Sequence, residues 1–185
     1  MPHEYEYPRP AVTVDAVIVA QGRAPQTGCC GPVVTASSKV PHVLLIKRGL
    51  PPFKDCWALP GGFVNADETL HAAAVRELQE ETSVDPNEVQ MHQLGAFGDP
   101  GRDPRGWTIT VAYGCIIAHT GLRVEAADDA AAVQWYPLDK LASLELAFDH
   151  RMVLSKSLER LAELSKAMPV EFKAKLISTA TSLKP

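Results

Sequence analysis

Cysteine is scarce in this chain, and its four copies suit neither a disulfide framework nor a zinc site. No two of them form a Cys-x-x-Cys pair, and no histidine lies at the spacing of a zinc ligand. Two of them are adjacent, which fits neither a simple disulfide nor a metal clamp. We therefore expect reduced thiols at Cys29, Cys30, Cys56 and Cys115.

Long hydrophobic runs are missing as well. No stretch approaches the length that spans a membrane, and the first ten residues, MPHEYEYPRP, lack the apolar core of a secretory signal. The formal net charge of −4 gives no electrostatic reason to expect nucleic acid or an anionic membrane as a partner. We expect a cytoplasmic protein that binds neither.

The composition is that of an ordinary globular domain. The 185 residues are 46% hydrophobic and 22% charged, which is enough for one domain with a sizeable core. Residues 21–40 are rich in Gly, Pro, Ser and Thr and predict a loop. Alternating or apolar runs predict strands at 11–20, 42–48, 57–63, 89–97, 107–118 and 131–136.

Helical spacing of apolar residues predicts one helix over 70–82 and a C-terminal helix over 150–167. The residues after Pro169 predict a loosely ordered tail, in which a short helix is an open alternative. Strands that flank one central helix, together with a terminal helix, indicate an α/β fold. We predict an α/β/α sandwich with a mixed sheet and a C-terminal helix.

Three carboxylates crowd one side of the helix predicted at 70–82. At 100° per residue, Glu80 lies about 60° to one side of Glu77 and Glu81 about 40° to the other. Like charges at this spacing repel one another, which suggests that something cationic lies in front of them. Oxygen ligands select a hard ion such as Mg²⁺ or Mn²⁺, which usually serves a phosphate substrate. The alternative is a solvated acidic face.

The same segment carries a family signature. Residues 62–84 read GFVNADETLHAAAVRELQEETSV and closely resemble the box of the Nudix hydrolases. The residues just before them, WALPGG at 57–62, are similar to the family's usual lead-in, and paired glycines let a backbone carbonyl approach a metal. One position departs from the box, because Ser83 stands where the family has a glycine that closes the helix.

The resemblance implies the same α/β/α fold and an enzyme that cleaves nucleoside diphosphates linked to another moiety, with Mg²⁺ or Mn²⁺ as cofactor. Arg76 lies four residues before Glu80 and can hold its carboxylate in position. The implied metal ligands are the carbonyl of Gly61 and the side chains of Glu77, Glu80 and Glu81. The implied catalytic residues are Glu68, Arg76, Glu77, Glu80, Glu81 and Asp129.

Asp129 is the first choice for the general base, because in many relatives the base lies on a loop after the box. Glu125 and Asp128 are the other acidic residues of that loop, and any of the three is otherwise a solvated loop residue. We divide the chain into an N-terminal arm (1–8), a Nudix domain (9–146, with the box at 62–84) and a C-terminal helix and tail (147–185). Relatives often dimerise, so a homodimer is an open alternative.

The choice of substrate is predicted from a loop. Residues 97–113, with 7–10 and 146–150, resemble ADP-ribose pyrophosphatases of NAD metabolism and the related ADP-ribose-sensing regulators. The resemblance implies hydrolysis of ADP-ribose to AMP and ribose 5-phosphate. Arg102 and Arg105 can clamp a diphosphate, and Trp107 can stack on adenine. The alternative for this loop is a surface turn with two solvated arginines and a core tryptophan.

Two other functions stay open. The first is a Nudix hydrolase of another small nucleotide, such as a nucleoside triphosphate, a sugar nucleotide or a dinucleotide. The second is a regulator that binds ADP-ribose without turnover and controls DNA binding. The intact carboxylate set favours an enzyme, and the residues after His150 are not notably basic, as a DNA-reading segment would be.

Overall fold

The strands assemble into one seven-stranded mixed sheet. The structure is a computed structural model that describes residues 6–22, 40–127 and 130–184. Most of the loop predicted at 21–40, Cys29, Cys30, Asp128 and Asp129 lie outside the described residues. The strands are β1 (Ala11–Ala20), β2 (His42–Arg48), β3 (Trp57–Ala58), β4 (Gly61–Phe63), β5 (His92–Phe97), β6 (Thr108–Ile117) and β7 (Ala130–Pro137).

Strand β1 lies at the centre of the sheet, whose order is β3-β2-β1-β6-β5. It runs parallel to β6 over ten residue pairs. Near its end it pairs antiparallel with the start of β2, where Val19 faces Val43. β2 continues along β7, and the first half of β1 pairs with β4 instead, where Asp15 faces Gly61. Because β4 and not β2 pairs with the first half of β1, Gly61 and Gly62 lie beside the central strand.

Helices cover both faces of this sheet. They are α1 (Leu70–Thr82), α2 (His150–Leu164) and α3 (Val170–Ser182), with short 3-10 helices at Pro86–Glu88 and Leu138–Ser143. Side chains of β1 contribute alternately to two hydrophobic cores, because successive side chains of a strand point to opposite faces of the sheet. Ala16 and Ile18 pack with α1, whereas Val17 and Val19 pack with α2 and α3. The predicted α/β/α sandwich with a mixed sheet is confirmed. In the described part of the chain no helix is long and apolar enough to cross a membrane.

The prediction of a loosely ordered tail after Pro169 is wrong. Helix α3 runs for 13 residues and buries one side against the core. Its buried residues follow helical spacing at Phe172, Leu176 and Ala180, and Leu183 after it is also buried. The pattern was obscured by exposed apolar neighbours such as Ile177, which is 51% exposed, and by Thr and Ser, which are weak helix formers.

The strand predicted over 57–63 is interrupted. β3 ends at Ala58 and β4 begins at Gly61. The two residues between them do not continue the strand, because Pro60 has no N–H to donate to a ladder. The Pro60 carbonyl accepts a hydrogen bond from the Ala16 N–H at 2.7 Å. The break redirects the chain into the glycines that precede the Nudix-like box.

Helix α1 begins and ends as the sequence predicts. The side chain of Thr69 accepts a hydrogen bond from the Ala72 N–H at 3.1 Å, which satisfies one of the donors at the helix start. At the other end Ser83 adopts a left-handed conformation, with φ 58° and ψ 16°. Its N–H donates to the Gln79 carbonyl at 2.8 Å. A serine therefore occupies a conformation that favours glycine.

Replacing Ser83 with glycine should leave the protein equally stable or stabilise it by up to about 1.5 kcal/mol. Relief of the left-handed strain is worth about 1–2 kcal/mol, and the extra freedom of glycine in the unfolded chain costs roughly 0.5–1 kcal/mol. Urea unfolding measures the difference. Ser178→Gly, at an exposed position inside α3, is the matched control and should destabilise by about 0.5–1 kcal/mol. A clear loss of stability for Ser83→Gly would contradict the strain argument.

Candidate active site

A cavity of about 430 Å³ opens beside β4 and the box helix α1. Its walls come from β1, the turn after β2, β4, α1, the loop before β6 and the segment that leads into α2. The sequence-predicted site residues that line it are Gly61, Arg76, Glu77, Glu80, Glu81, Arg102 and Arg105. The fold thus brings together seven predicted residues that lie between positions 61 and 105 of the sequence.

Two glycines make this site possible because other atoms occupy the space of a side chain. A Cβ added to Gly62 would lie 2.5 Å from Oε1 of Glu77, and one added to Gly61 would collide with the Val14 carbonyl oxygen. Both contacts are shorter than any ordinary van der Waals distance. A larger residue at Gly61 would push β4 away from β1, and one at Gly62 would displace the carboxylate of Glu77.

Glu81 is a buried carboxylate, with only 7% of the residue exposed. Its Oε2 accepts a hydrogen bond from the Gly61 N–H at 2.8 Å. Burial raises the pKa of Glu81 to about 8, and the Gly61 hydrogen bond only partly opposes this rise. The negative charge of nearby Glu77 raises the pKa further. Burial therefore disfavours the ionised form of Glu81, which a bound cation would stabilise.

Arg76 binds three carboxylates at once. Its guanidinium contacts Oε1 of Glu68 at 2.6 Å, Oε1 of Glu77 at 2.8 Å and Oε2 of Glu80 at 2.9 Å. It also donates to the Phe63 carbonyl at 3.1 Å. The predicted contact with Glu80 is present, but it belongs to a larger network that ties the start of α1 to its middle and to β4.

The pKa values of two carboxyl groups in this network are shifted in opposite directions. The hydrogen bond from Arg76 lowers the pKa of Glu68 to about 2, so this residue is ionised at neutral pH. Burial raises the pKa of Glu77 although Arg76 opposes the rise. Glu68 does not line the cavity, and it acts on the site by holding Arg76.

The donors present fit a hard divalent cation. Glu77 and Glu81 line the cavity together with Gly61, and carboxylate and carbonyl oxygens are the ligands that Mg²⁺ and Mn²⁺ prefer. Glu80 is turned to Arg76. Within residues 6–22, 40–127 and 130–184 no three Asp, Glu, His or Cys side chains are already grouped to hold an ion. Two carboxylates, one of them desolvated, are therefore the core of the candidate metal site.

The two predicted arginines have different surroundings. Arg102 forms a two-pronged ion pair with Asp149, at 2.7 and 3.0 Å, and its side chain is only 5% exposed. Arg105 pairs with the buried carboxylate of Asp103 at 2.8 Å and keeps 42% of its side chain exposed. Arg102 is thus not a solvated arginine as in the alternative interpretation, whereas Arg105 stays partly exposed.

Aromatic rings flank Arg105 at the cavity. Its guanidinium carbon lies 4.9 Å from the centre of the Phe63 ring and 5.4 Å from that of Phe148, which are distances of cation–π contact. Trp107 is 54% exposed, so it is not the core tryptophan of the alternative interpretation. It does not line the cavity, and its stacking on adenine stays a prediction.

Sequence reasoning missed a pair of buried polar residues at the cavity, Asp15 and His150. Oδ1 of Asp15 lies 3.4 Å from Nε2 of His150, and its Oδ2 accepts from the Thr110 hydroxyl at 2.6 Å. Nδ1 of His150 accepts from the Leu59 N–H at 3.0 Å. A carboxylate inside the otherwise apolar strand AVTVDAVIVA was the available signal, because buried charges need partners.

Asp129, the predicted general base, lies outside the described residues. The loop before it is anchored to the end of α1, since the Ala127 N–H donates to the Glu81 carbonyl at 3.3 Å and the Glu125 N–H to the Thr82 carbonyl at 2.9 Å. The Glu125 side chain is exposed and pairs with Arg123 at 2.8 Å. The role of the base therefore stays a prediction for Asp129.

Comparison with known proteins identifies the family. The NUDIX domain matches residues 26–157. The chain belongs to the Nudix hydrolase family. An ADP-ribose pyrophosphatase of Methanocaldococcus jannaschii is 37% identical over 148 residues, which are 80% of this chain and 73% of that protein. The ADPR responsive transcriptional repressor NtrR of Acinetobacter baylyi is 34% identical over 171 residues, 89% of this chain and 60% of the repressor.

Solved Nudix structures have the same fold. The Nudix domain of Shewanella oneidensis NrtR, complexed with ADP ribose, superposes with a TM-score of 0.68 at 30% identity and covers 84% of this chain and 90% of that one. A bifunctional NMN adenylyltransferase/ADP ribose pyrophosphatase from Francisella tularensis, complexed with AMP and manganese, superposes with a TM-score of 0.67 at 28% identity. The match covers 85% of this chain and 43% of that one. The Nudix box of this chain therefore lies in the structural context that the family uses.

In the metal-free Nudix protein, the contribution of Glu81 to the free energy of unfolding should fall as the pH rises from about 4.5 to about 8. Burial raises the pKa of folded Glu81 to about 8, so over this range the folded protein keeps a proton that the unfolded chain releases. The stability that this proton contributes is therefore complete below pH 4.5 and is lost as the pH rises through 8. Glu81→Gln should flatten this part of the profile.

Melting temperatures measured in EDTA from pH 4.5 to 8.5 test this prediction. The control is Glu145→Gln, which removes an exposed carboxylate and should leave the profile of the wild type unchanged. Parallel profiles for the wild type and Glu81→Gln would contradict it.

Proposed function

We propose that this Nudix protein hydrolyses ADP-ribose to AMP and ribose 5-phosphate with the help of Mg²⁺ or Mn²⁺. The observation that carries the proposal is one cavity lined by two acidic side chains, Glu77 and the buried Glu81, together with a partly exposed arginine, Arg105. The 37% identical ADP-ribose pyrophosphatase of Methanocaldococcus jannaschii supports the choice of substrate. The ADP ribose in the Shewanella oneidensis structure supports it independently.

The chemistry of a diphosphate accounts for this combination of groups. A phosphoanhydride repels nucleophiles because its oxygens are negative, so the site must supply positive charge on one side and a base on the other. A bound divalent ion neutralises phosphate charge and lowers the pKa of a bound water. Gly61, Glu77 and Glu81 would hold such an ion, and Glu80 would join them if it exchanged Arg76 for the metal.

The remaining residues of the box act by orientation. Arg76 fixes Glu77 and Glu80, and Glu68 fixes Arg76 through two hydrogen bonds at 2.6 and 3.0 Å. Asp129 is the proposed general base. Its support is the anchoring of the preceding Ala127 to the Glu81 carbonyl at 3.3 Å.

Substrate recognition is assigned to the loop before β6. Arg105 is held by Asp103 and by two phenyl rings, yet it keeps exposed surface from which it can donate to a phosphate. Arg102 is neutralised by Asp149, so its proposed contribution to substrate binding is to shape the cavity wall. Trp107, two residues beyond Arg105, is the proposed stacking partner of adenine.

A regulator that binds ADP-ribose without turnover is the second candidate. The 34% identical repressor of Acinetobacter baylyi favours it. The complete set of Glu77, Glu80 and Glu81 favours the enzyme, because a ligand sensor does not need three carboxylates on the box helix. We further propose a cytoplasmic enzyme that acts without nucleic acid or membrane, with a homodimer as the assembly to test.

The purified protein should hydrolyse ADP-ribose when Mg²⁺ is present, with AMP and ribose 5-phosphate identified by chromatography. A panel of nucleoside triphosphates, sugar nucleotides and dinucleotides tests the other substrates, and excess EDTA should abolish turnover. Glu81→Gln should lower kcat by about 10²-fold or more while the protein stays folded, and Glu145→Gln should not. Turnover in excess EDTA would overturn the metal mechanism, and tight ADP-ribose binding without turnover of any compound would favour the regulator.

Arg105→Ala should raise KM for ADP-ribose and change kcat much less, because its contact is made equally in the ground and transition states. Loss of one charge-assisted hydrogen bond is worth about 1.5–3 kcal/mol, which is roughly a tenfold to hundredfold decrease in kcat/KM. Steady-state kinetics measure both constants.

Two controls sharpen the Arg105 experiment. Arg160→Ala removes an exposed arginine of α2 that pairs with Glu163 and should leave the kinetics unchanged. An equal loss for Arg105→Ala on a nucleoside triphosphate would show that Arg105 serves a diphosphate site common to both substrates. Unchanged kinetics on both substrates would remove Arg105 from the site.

A further inference from the structure

His150 connects the first turn of α2 to the break between β3 and β4. The residue is 5% exposed, and its Nδ1 accepts a hydrogen bond from the Leu59 N–H at 3.0 Å. A nitrogen that accepts cannot carry the ring proton, so the proton of the neutral imidazole lies on Nε2. Burial lowers the pKa of His150, which favours this neutral form.

The other side of the ring faces a charge. Nε2 lies 3.4 Å from Oδ1 of Asp15, which is longer than an ordinary N–H···O hydrogen bond of about 2.9–3.0 Å. Asp15 has a shorter partner in the Thr110 hydroxyl, at 2.6 Å. By distance, the contact to Leu59 is therefore the stronger of the two that His150 makes.

Leu59 lies two residues before Gly61, at a place where the sheet offers its N–H no ladder partner, since β3 has ended and β4 has not begun. Pro60 has no N–H of its own. The chain at this point is therefore fixed by the Pro60 carbonyl, which accepts from Ala16 at 2.7 Å, and by the imidazole of His150. The next residue, Gly61, donates to Glu81 at 2.8 Å.

We propose that His150 is a positioning residue of the Nudix active site, which acts through Leu59 to fix Gly61 and its hydrogen bond to Glu81 where a metal-bound diphosphate requires them. The proposal rests on the proposed function, because it takes Gly61 and Glu81 as the metal-binding side of the cavity. His150 is separated from Leu59 by 91 residues, so α2 serves the site as well as the core.

Two substitutions separate the two contacts of the ring. The amide oxygen of Asn corresponds in position to Nδ1, so His150→Asn can still accept from Leu59 but does not reach Asp15. The amide nitrogen of Gln corresponds to Nε2, so His150→Gln can donate to Asp15 but presents no acceptor to Leu59. Each variant is checked for folding by circular dichroism and by its melting temperature.

The test measures Mn²⁺ affinity of the substrate-free full chain by calorimetry, followed by kcat and KM for ADP-ribose. We expect His150→Asn to stay within about threefold of the wild type, and His150→Gln to lose about tenfold or more in Mn²⁺ affinity and in kcat. Tenfold corresponds to about 1.4 kcal/mol, the scale of one hydrogen bond.

Several results would overturn the inference. A loss in His150→Asn alone would assign the effect to Asp15, equal losses in both variants would assign it to packing, and wild-type behaviour of both would make His150 a core residue only. A lower melting temperature of His150→Gln with unchanged Mn²⁺ affinity would leave it a purely structural role. If His150→Gln does not fold, His150→Asn decides alone, and a tenfold loss of its Mn²⁺ affinity contradicts the proposal.

The outcome is separable from that of the proposed function. Wild-type protein that binds Mn²⁺ but does not hydrolyse ADP-ribose would refute the substrate assignment, while the Mn²⁺ affinities of the two variants would still decide the role of His150. Wild-type protein that binds no Mn²⁺ would overturn both.

Discussion

The close approach of β4 to both β1 and α1 is the constraint on which the site depends. A side chain at Gly61 would collide with the Val14 carbonyl, and one at Gly62 would displace the Glu77 carboxylate from its place in the site. Only at this separation can the Gly61 N–H reach Glu81 at 2.8 Å. The hydrogen bond then holds a carboxylate in a place from which water is largely excluded.

Carboxylates of the same short segment receive opposite electrostatic environments. Glu68 is paired with Arg76, and its pKa is lowered to about 2, whereas Glu81 is buried and its pKa is raised to about 8. Pairing favours the charged form and desolvation disfavours it. A cation in the cavity would reverse the balance at Glu81, which couples metal binding to the loss of a proton near neutral pH.

The two C-terminal helices are part of this arrangement and complete one of the two cores. The segment that enters α2 also contributes Phe148, Asp149 and His150 to the cavity or its support. Phe148 adopts φ 52°, in the left-handed region, which non-glycine residues occupy at some cost. Its ring contacts both Arg105 and Arg48, so the strained backbone coincides with the cationic side of the cavity.

Local pattern was enough to predict much of this protein. The periodicities of the strands and of α1, the departure of Ser83 from the glycine of the box and the acidic arc of the box all depend on neighbours within a few residues. Those features also indicated the family and the fold class. The end of the chain was harder, because α3 carries exposed apolar residues beside its buried ones.

The tertiary structure decided which groups share a cavity and in what state. Arg102 and Arg105 look alike in sequence, but Asp149, 47 residues away, neutralises one, and two phenyl rings hold the other. The link from His150 to Leu59 spans 91 residues. Periodicity and spacing report the neighbours of a residue along the chain, whereas burial, pKa and pairing depend on atoms that only the folded chain brings within a few ångströms.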